Sequence, residues 1–301
     1  MTEASGLLDR SERGKLALSG AGAKGFLQGQ VTNDVEQLAA SQGCYAAFLT
    51  PKGKMLGDLR ILDTGDELLL DTERPALQGL FNMIRRFSVG YDFDLHKCTL
   101  KRGLLSLIGP SSDELVGGLP HDEHAHDVVS VDGIAARAIR TDVGIDLLCD
   151  SGQTDRLSRA LEARGAQPVP ETVAECLRVE RGRPRYGIDL DDTVIPQEAG
   201  LNERAVSFTK GCYVGQETVA RLHYRGKPNR HLRGLRLSAS ARTGDELQLA
   251  ERAVGTLGSV AKSPRLGWIA LALIRREAPP GAALSVGRSG AQAEVVELPF
   301  G

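Results

Sequence analysis

The chain of 301 residues is short of paired cysteines, of any excess of one charge and of long apolar runs. Its five cysteines, Cys44, Cys98, Cys149, Cys176 and Cys212, are odd in number, widely spaced and free of any Cys-x-x-Cys. That pattern argues against a disulfide framework and against a zinc ribbon. The net charge of −2 gives the chain as a whole no drive onto nucleic acid or an anionic membrane, so such contact would need a local patch. The most apolar window, Leu266–Ile274, is about half a membrane span, and Met1–Arg13 has the pattern of neither a signal nor a transit peptide. The expected home is the cytoplasm, or a matrix after trimming, without membrane contact.

What is present reads as α+β followed by all-β. Expected strands at Lys15–Ser19, Gly43–Thr50, Met55–Thr64 and Asp66–Asp71 lead to a helix at Ala76–Phe87, whose apolar residues Leu77, Leu80, Phe81 and Ile84 fall at helical spacing. Pro51-Lys52-Gly53-Lys54 suits a hairpin connection. Strands follow at Leu100–Ile108, Ile134–Arg140 and Ile145–Cys149, then helices at Thr154–Arg164 and Glu171–Arg181. Residues 186–212 lack periodicity, and long irregular stretches in compact domains are usually functional. Beyond Pro228, six short strands from Leu232 to Leu298 predict a small antiparallel barrel or sandwich. This places a boundary near Gly226–Arg230, with an α+β region at 1–226 and a β domain at 227–301.

Three patterns compete for function. Gly20-x-Gly22-x-x-Gly25 spells the dinucleotide fingerprint, but the helix after it is short and Gly43 opens a hairpin, so a tight strand–helix turn is the better reading. The run His121-Asp122-Glu123-His124-Ala125-His126-Asp127 has metal-ligating side chains but no second cluster to close a site, so a solvated loop is expected and no metal is assigned. Between Arg221 and Arg236 lie six cationic residues with His223, Tyr224 and His231. RNA, an anionic small molecule at the domain junction and a solvated linker all fit that run.

The strongest local signal is Lys210-Gly211-Cys212-Tyr213-Val214-Gly215-Gln216-Glu217. The two glycines free the backbone to turn sharply, and Gln216–Tyr224 has a helical pattern. Cys212 thus precedes a helix start and follows a lysine by two residues, and both features favour a thiolate. A reactive cysteine is expected rather than an inert core thiol.

This block resembles the signature of YgfZ-type proteins, relatives of the glycine-cleavage T-protein. The likeness extends to Phe26-Leu27-Gln28-Gly29-Gln30-Val31-Thr32-Asn33-Asp34-Val35, to Pro51–Lys54 with Asp58-Leu59, to Leu177–Gly182, and to Pro196-Gln197-Glu198-Ala199. It implies a ring of two intertwined α+β units and a C-terminal antiparallel β-barrel. It also implies tetrahydrofolate, or a one-carbon derivative, as cofactor, and iron–sulfur proteins or their assembly machinery as partners. Carried over residue by residue, it gives Cys212, Lys210 and Asp58 reactive roles. It places Asp58, Arg178, Glu180, Gly211, Tyr213, Gln216 and Glu217 at the cofactor. Folate-dependent aminomethyl transfer is the alternative activity. Two departures weigh against that alternative: Gly57 stands where the T-protein has a second acidic residue, and Arg140-Thr141 runs almost directly into Asp142-Val143 without the longer pterin-holding loop.

Overall fold

The computed structural model describes residues 5–287 and 290–301; the first four residues of the Met1–Arg13 stretch lie outside it. By contacts the chain divides into two compact units. One comprises residues 1–48, 56–171 and 205–214, the other residues 49–55, 172–204 and 215–301. The barrel itself opens at Arg230, close to the expected boundary, but its unit also takes in earlier segments of the chain.

The first unit is built on two sheets. One has strands β2 (Gly14–Ser19), β3 (Gln42–Leu49), β4 (Met55–Asp63), β5 (Glu67–Thr72) and β6 (Asp94–Lys97), ordered β3-β4-β5-β2-β6. The other has β1 (Gly6–Asp9), β7 (Arg102–Ile108), β8 (His126–Val131), β9 (Ile134–Thr141), β10 (Gly144–Asp150) and the two-residue β11 (Gln167–Pro168), ordered β11-β1-β7-β10-β9-β8. The central strands β2, β4 and β5 are buried on both faces, which is why they read as apolar runs rather than alternations. Ala17, Leu62 and Leu69 of the first sheet pack with Leu104, Ile139 and Leu148 of the second. The outer faces are covered by helices. Helix α2 (Arg74–Phe87) buries Ala76, Leu80 and Ile84, and α4 (Thr154–Ala163) sends Leu157 and Leu161 into the core of the second sheet. Short helices α1 (Ala23–Gln30) and α3 (Ser112–Val116) complete the unit.

A charged lattice crosses between the sheets. Arg60 donates to Asp71 and Asp146, both at 2.8 Å, Arg13 Nε donates to Asp71 at 2.8 Å, and Ser106 donates to Asp146 at 2.6 Å. Arg60 is buried, and its two carboxylate partners hold its guanidinium above the ordinary range despite burial.

The second unit carries α5 (Glu171–Glu180, from its second residue), α6 (Asn202–Ala205, less its last residue) and α7 (Gln216–Arg225). It also holds a closed barrel of β12 (Arg230–Leu237), β13 (Glu246–Leu249), β14 (Arg252–Ser263), β15 (Gly267–Arg275), β16 (Ala283–Val286) and β17 (Ala291–Val296). Alternating inward residues such as Leu284 and Val286, Ala293 and Val295 fill the barrel. Val179 of α5 packs outside it on Leu232, Ile269, Leu271 and Phe300. The apolar window at Leu266–Ile274 is the barrel strand β15. Among the described residues, no helix is long and apolar enough to cross a membrane.

The structure adds strands β1, β6 and β8, which are short or largely polar, to those expected. Leu100 and Lys101 lie in a turn before β7 rather than in the strand. Strand β2 pairs antiparallel with β5 and β6, so the Gly20–Gly25 turn opens no parallel β-α-β unit.

Candidate functional site

Two sequence blocks about 180 positions apart, around Gln28–Val35 and Ala205–Val214, meet in the first unit. The Lys210 ammonium donates to the carbonyls of Gln28 at 2.7 Å, Val31 at 2.8 Å and Asn33 at 2.8 Å. Thr32 donates from its hydroxyl to the Ala205 carbonyl, the Ser207 amide returns a bond to the Thr32 carbonyl at 2.9 Å, and the Val214 amide reaches the Gly29 carbonyl. The side-chain amide of Gln28 closes the loop against Asp34 and the Val35 amide. Burial pushes the Lys210 amine down to about 8, against the pull of Asp34, Cys44 and Glu36. Its Nζ also lies 5.1 Å from the centre of the Tyr213 ring.

The Asn33 side chain extends this contact chain by donating to the Tyr45 carbonyl at 2.9 Å. The Tyr45 hydroxyl in turn donates to Asp58 Oδ2 at 2.6 Å. Asp58, on β4, is 6% exposed. Burial raises its carboxyl to about 6; the Tyr45 bond and Arg13 act in the opposite direction, and Glu73 adds to the rise. A carboxyl so placed changes protonation near neutral pH, as a group that holds or passes a proton must. Beside it, Gly57 has φ of 157°, and a Cβ there would come within 2.6 Å of Ala76 Cβ and 2.7 Å of the Phe48 ring. The packing of α2 on β4 therefore excludes a second acidic side chain at this position.

Cys212 is exposed, as a reactive thiol requires. Its neighbours explain how: the buried side chains of Lys210 and Tyr213 anchor the loop on either side of the exposed pair Gly211-Cys212. The expected activation by Lys210 needs correction. All three ammonium protons of that lysine are spent on backbone carbonyls, and the thiol that acts on its charge is that of Cys44. The helix begins where the sequence placed it: α7 starts at Gln216 after an N-cap at Gly215. Gly215 itself is required there, with φ of 86° and a Cβ position 2.6 Å from the Thr50 carbonyl. Cys44 is pushed up to about 12 by burial and stays a thiol; Cys98 and Cys149 are buried.

Arg178 and Glu180, expected at the cofactor, are bonded within the frame of the second unit. Arg178 donates to both oxygens of Glu175, to the Arg183 carbonyl, to Asp189 and to Ser259, which uses all five of its N–H groups. Glu180 accepts from Ser263 of β14 at 2.5 Å. Asp189, inside the long irregular stretch, is the hub that sequence reading missed. It accepts from Arg178, from the Arg185 amide and from the amide and hydroxyl of Ser259. Gln216 is half-buried and Glu217 exposed in the first turn of α7, in the second unit.

The remaining motifs disperse. His126 turns inward, bonded to the Gln42 carbonyl and facing Arg137, and burial lowers its pKa. Among the described residues no three His, Cys, Asp or Glu converge on a metal position. The basic run divides between α7 and β12, where Glu198 neutralises Arg230 and Glu297 neutralises Arg233. That leaves a weaker case for RNA than the unpaired run suggested.

Comparison with known proteins agrees with this architecture. The chain superimposes on the glycine cleavage system aminomethyltransferase T from Bartonella henselae with a TM-score of 0.87 at 21% identity, covering 100% of this chain and 87% of that one. A chloroplastic protein of Arabidopsis thaliana named "Putative transferase" is 29% identical over 309 residues, 97% of this chain and 71% of the relative. Residues 1–210 match the family model described as the GCVT N-terminal domain. The chain belongs to the GCVT family.

Proposed function

We propose that this protein binds tetrahydrofolate or a one-carbon derivative beside Asp58 and, through Cys212, supports the assembly or repair of iron–sulfur clusters in partner proteins. The observation that carries the reading is the pairing of an exposed loop thiol with a buried, near-neutral carboxyl in one compact unit. The site chemistry fits a reduced folate in one respect and limits it in another. Asp58 offers acceptor oxygens to the amino and ring N–H donors of a pterin. Arg178 has no N–H left for the glutamate tail, so another cation must serve it. Tetrahydrofolate, when bound, supplies the secondary amine that carries one-carbon units. Asp58 holds or releases a proton at its carboxyl oxygens, and Tyr45 fixes that carboxyl's orientation. Cys212 is free to attack or ligate because nothing covers it.

The test has two arms. Titration calorimetry with tetrahydrofolate should show binding that Asp58→Ala weakens at least about tenfold. Cells relying on Cys212→Ser should lose iron–sulfur enzyme activity while the variant accumulates and melts like the parent. Full support of those enzymes by Cys212→Ser would remove the thiol from the mechanism. Aminomethyl transfer is the second reading, favoured by the near-neutral Asp58 and opposed by the exclusion of a neighbouring carboxylate at Gly57. Methylene-folate formation with a lipoyl carrier would decide for it.

A further inference from the structure

The first unit bears an unusual stretch around β6. Four large hydrophobic side chains stand exposed within 14 positions: Phe87 at 46%, Val89 at 88%, Tyr91 at 45% and Leu100 at 87%. Together they present on the order of 450 Å², and they lie before and after β6 along the chain. β6 is an edge strand, paired on one side with β2. The Cys98 amide bonds the Lys15 carbonyl, so with Leu16 opposite Lys97 the alternation fixes which groups face β2. His96 and Asp94 point their backbone groups inward, while those of Leu95 and Lys97 point to the open edge. A lysine on an edge strand ordinarily guards it. Here Lys97 Nζ sits 4.2 Å from the centre of the Phe81 ring on α2, drawn onto the helix.

We propose that β6 is the seam of a symmetric dimer, two copies joining their five-stranded sheets edge to edge, antiparallel, about Leu95. The occupant is a second copy because the strand complements itself. A two-fold pairing must set outward-facing residues opposite each other, which leaves registers centred on Asp94, Leu95, His96 or Lys97, and centring on Asp94 opposes two carboxylates. Centring on Lys97 opposes two ammonium groups, and centring on His96 opposes two imidazoles. Centring on Leu95 opposes Leu95 to Leu95 and Asp94 to His96 twice, the one register that joins apolar to apolar and carboxylate to imidazole. The same axis carries the Val89 and Tyr91 end of one strand toward the Leu100 end of the other. Two such apolar surfaces plus the strands reach roughly the 1,200 Å² of a specific interface. An anionic lipid surface fits less well, since the exposed carboxylates of Asp92 and Asp94 lie in the same stretch.

Sedimentation velocity of the full chain up to about 200 µM should show a monomer–dimer equilibrium. Val89→Asp with Leu100→Asp should weaken it at least about tenfold and leave circular dichroism unchanged, both side chains being almost wholly exposed. Register is tested by Leu95→Cys in a Cys212→Ser background. Opposed positions lie about 5.5 Å apart between Cα atoms, within disulfide range. Diamide should oxidise the two thiols to an intermolecular disulfide, itself reduced to the hydrazide. Asp94→Cys, one position off the axis and so two positions out of register with its own mate, should stay monomeric on a non-reducing gel. A wild-type chain that is monomeric throughout, binds phosphatidylserine vesicles instead, or cross-links equally at both positions overturns the proposal.

Discussion

Replacing Asp58 by Asn should make the protein more stable at pH 8 while removing its proton-holding group. The carboxyl's pKa stands at about 6 against an ordinary 3.8, and burial is the main cause. At about 1.4 kcal/mol per tenfold, ionising it in the folded state costs about 3 kcal/mol more than in the unfolded chain. The sign follows from proton counting. Between about pH 4 and pH 6 the folded protein binds more protons at this position than the unfolded one, so its contribution to stability falls as pH rises through that window. Above it the full cost is present; below it the cost vanishes. Asn keeps an acceptor for the Tyr45 hydroxyl, but a neutral one, and the weaker bond returns about 1 kcal/mol of the gain. The net expectation is about 2 kcal/mol at pH 8, shrinking toward zero or below at pH 4. Urea unfolding followed at pH 4, 6 and 8 measures it. A variant less stable than the parent at pH 8, or a difference that ignores pH, would show that Asp58 is not a strained acid.

Other consequences can be measured directly. Iodoacetamide should label one cysteine rapidly, and Cys212→Ser should abolish that phase, because Cys98 and Cys149 are buried and Cys44 and Cys176, pushed up to about 12 and about 11, are held as thiols. Arg60→Ala should cost about 3 kcal/mol, since it removes the buried cation shared by Asp71 and Asp146 and leaves Asp146 with Ser106 and Asp71 with Arg13; thermal melts at pH 7 read this. Arg178→Ala should lower the melting temperature through the second unit yet leave tetrahydrofolate affinity unchanged, which calorimetry separates. Gly57→Ala should destabilise by about 1–3 kcal/mol, read by urea midpoint, because its methyl meets Ala76 and Phe48.

Much of the frame was legible because the signals were periodic and punctuated. The α2 stripe of Leu80 and Ile84, the 51–54 hairpin and the six barrel strands all carry the spacing their structure demands. β6 was illegible for a physical reason: four residues with one apolar side chain hold no period, and only pairing with β2 makes them a strand. The site was legible in membership and not in orientation. Lys210 and Cys212 are neighbours in sequence, and nothing in that spacing says that a lysine with three carbonyls in reach will turn to them. Arg178 shows the same limit. Its acceptors Asp189 and Ser259 are 11 and 81 positions away, so a local ion pair with Glu175 was foreseeable and the full network was not. Tyr45 offered no motif at all; its role comes from the tertiary meeting with Asp58.

These orientations bear on chemistry through one packing choice. With α2 pressed onto β4, position 57 has no space for a side chain, and Asp58 remains a lone acid. Two adjacent carboxylates would repel each other, and one would be driven to hold its proton more tightly still. A single one, buried and bonded to a phenol, is raised to about 6 chiefly by desolvation, with Glu73 adding to the rise. The fold thus keeps a proton-exchanging acid while dispensing with its acidic partner. The loop that bears Cys212 is fastened within the same compact unit by a lysine whose charge is consumed in holding it there. What distinguishes this chain chemically is therefore an outward thiol on an anchored loop, joined to that acid by side-chain hydrogen bonds from Lys210, Asn33 and Tyr45.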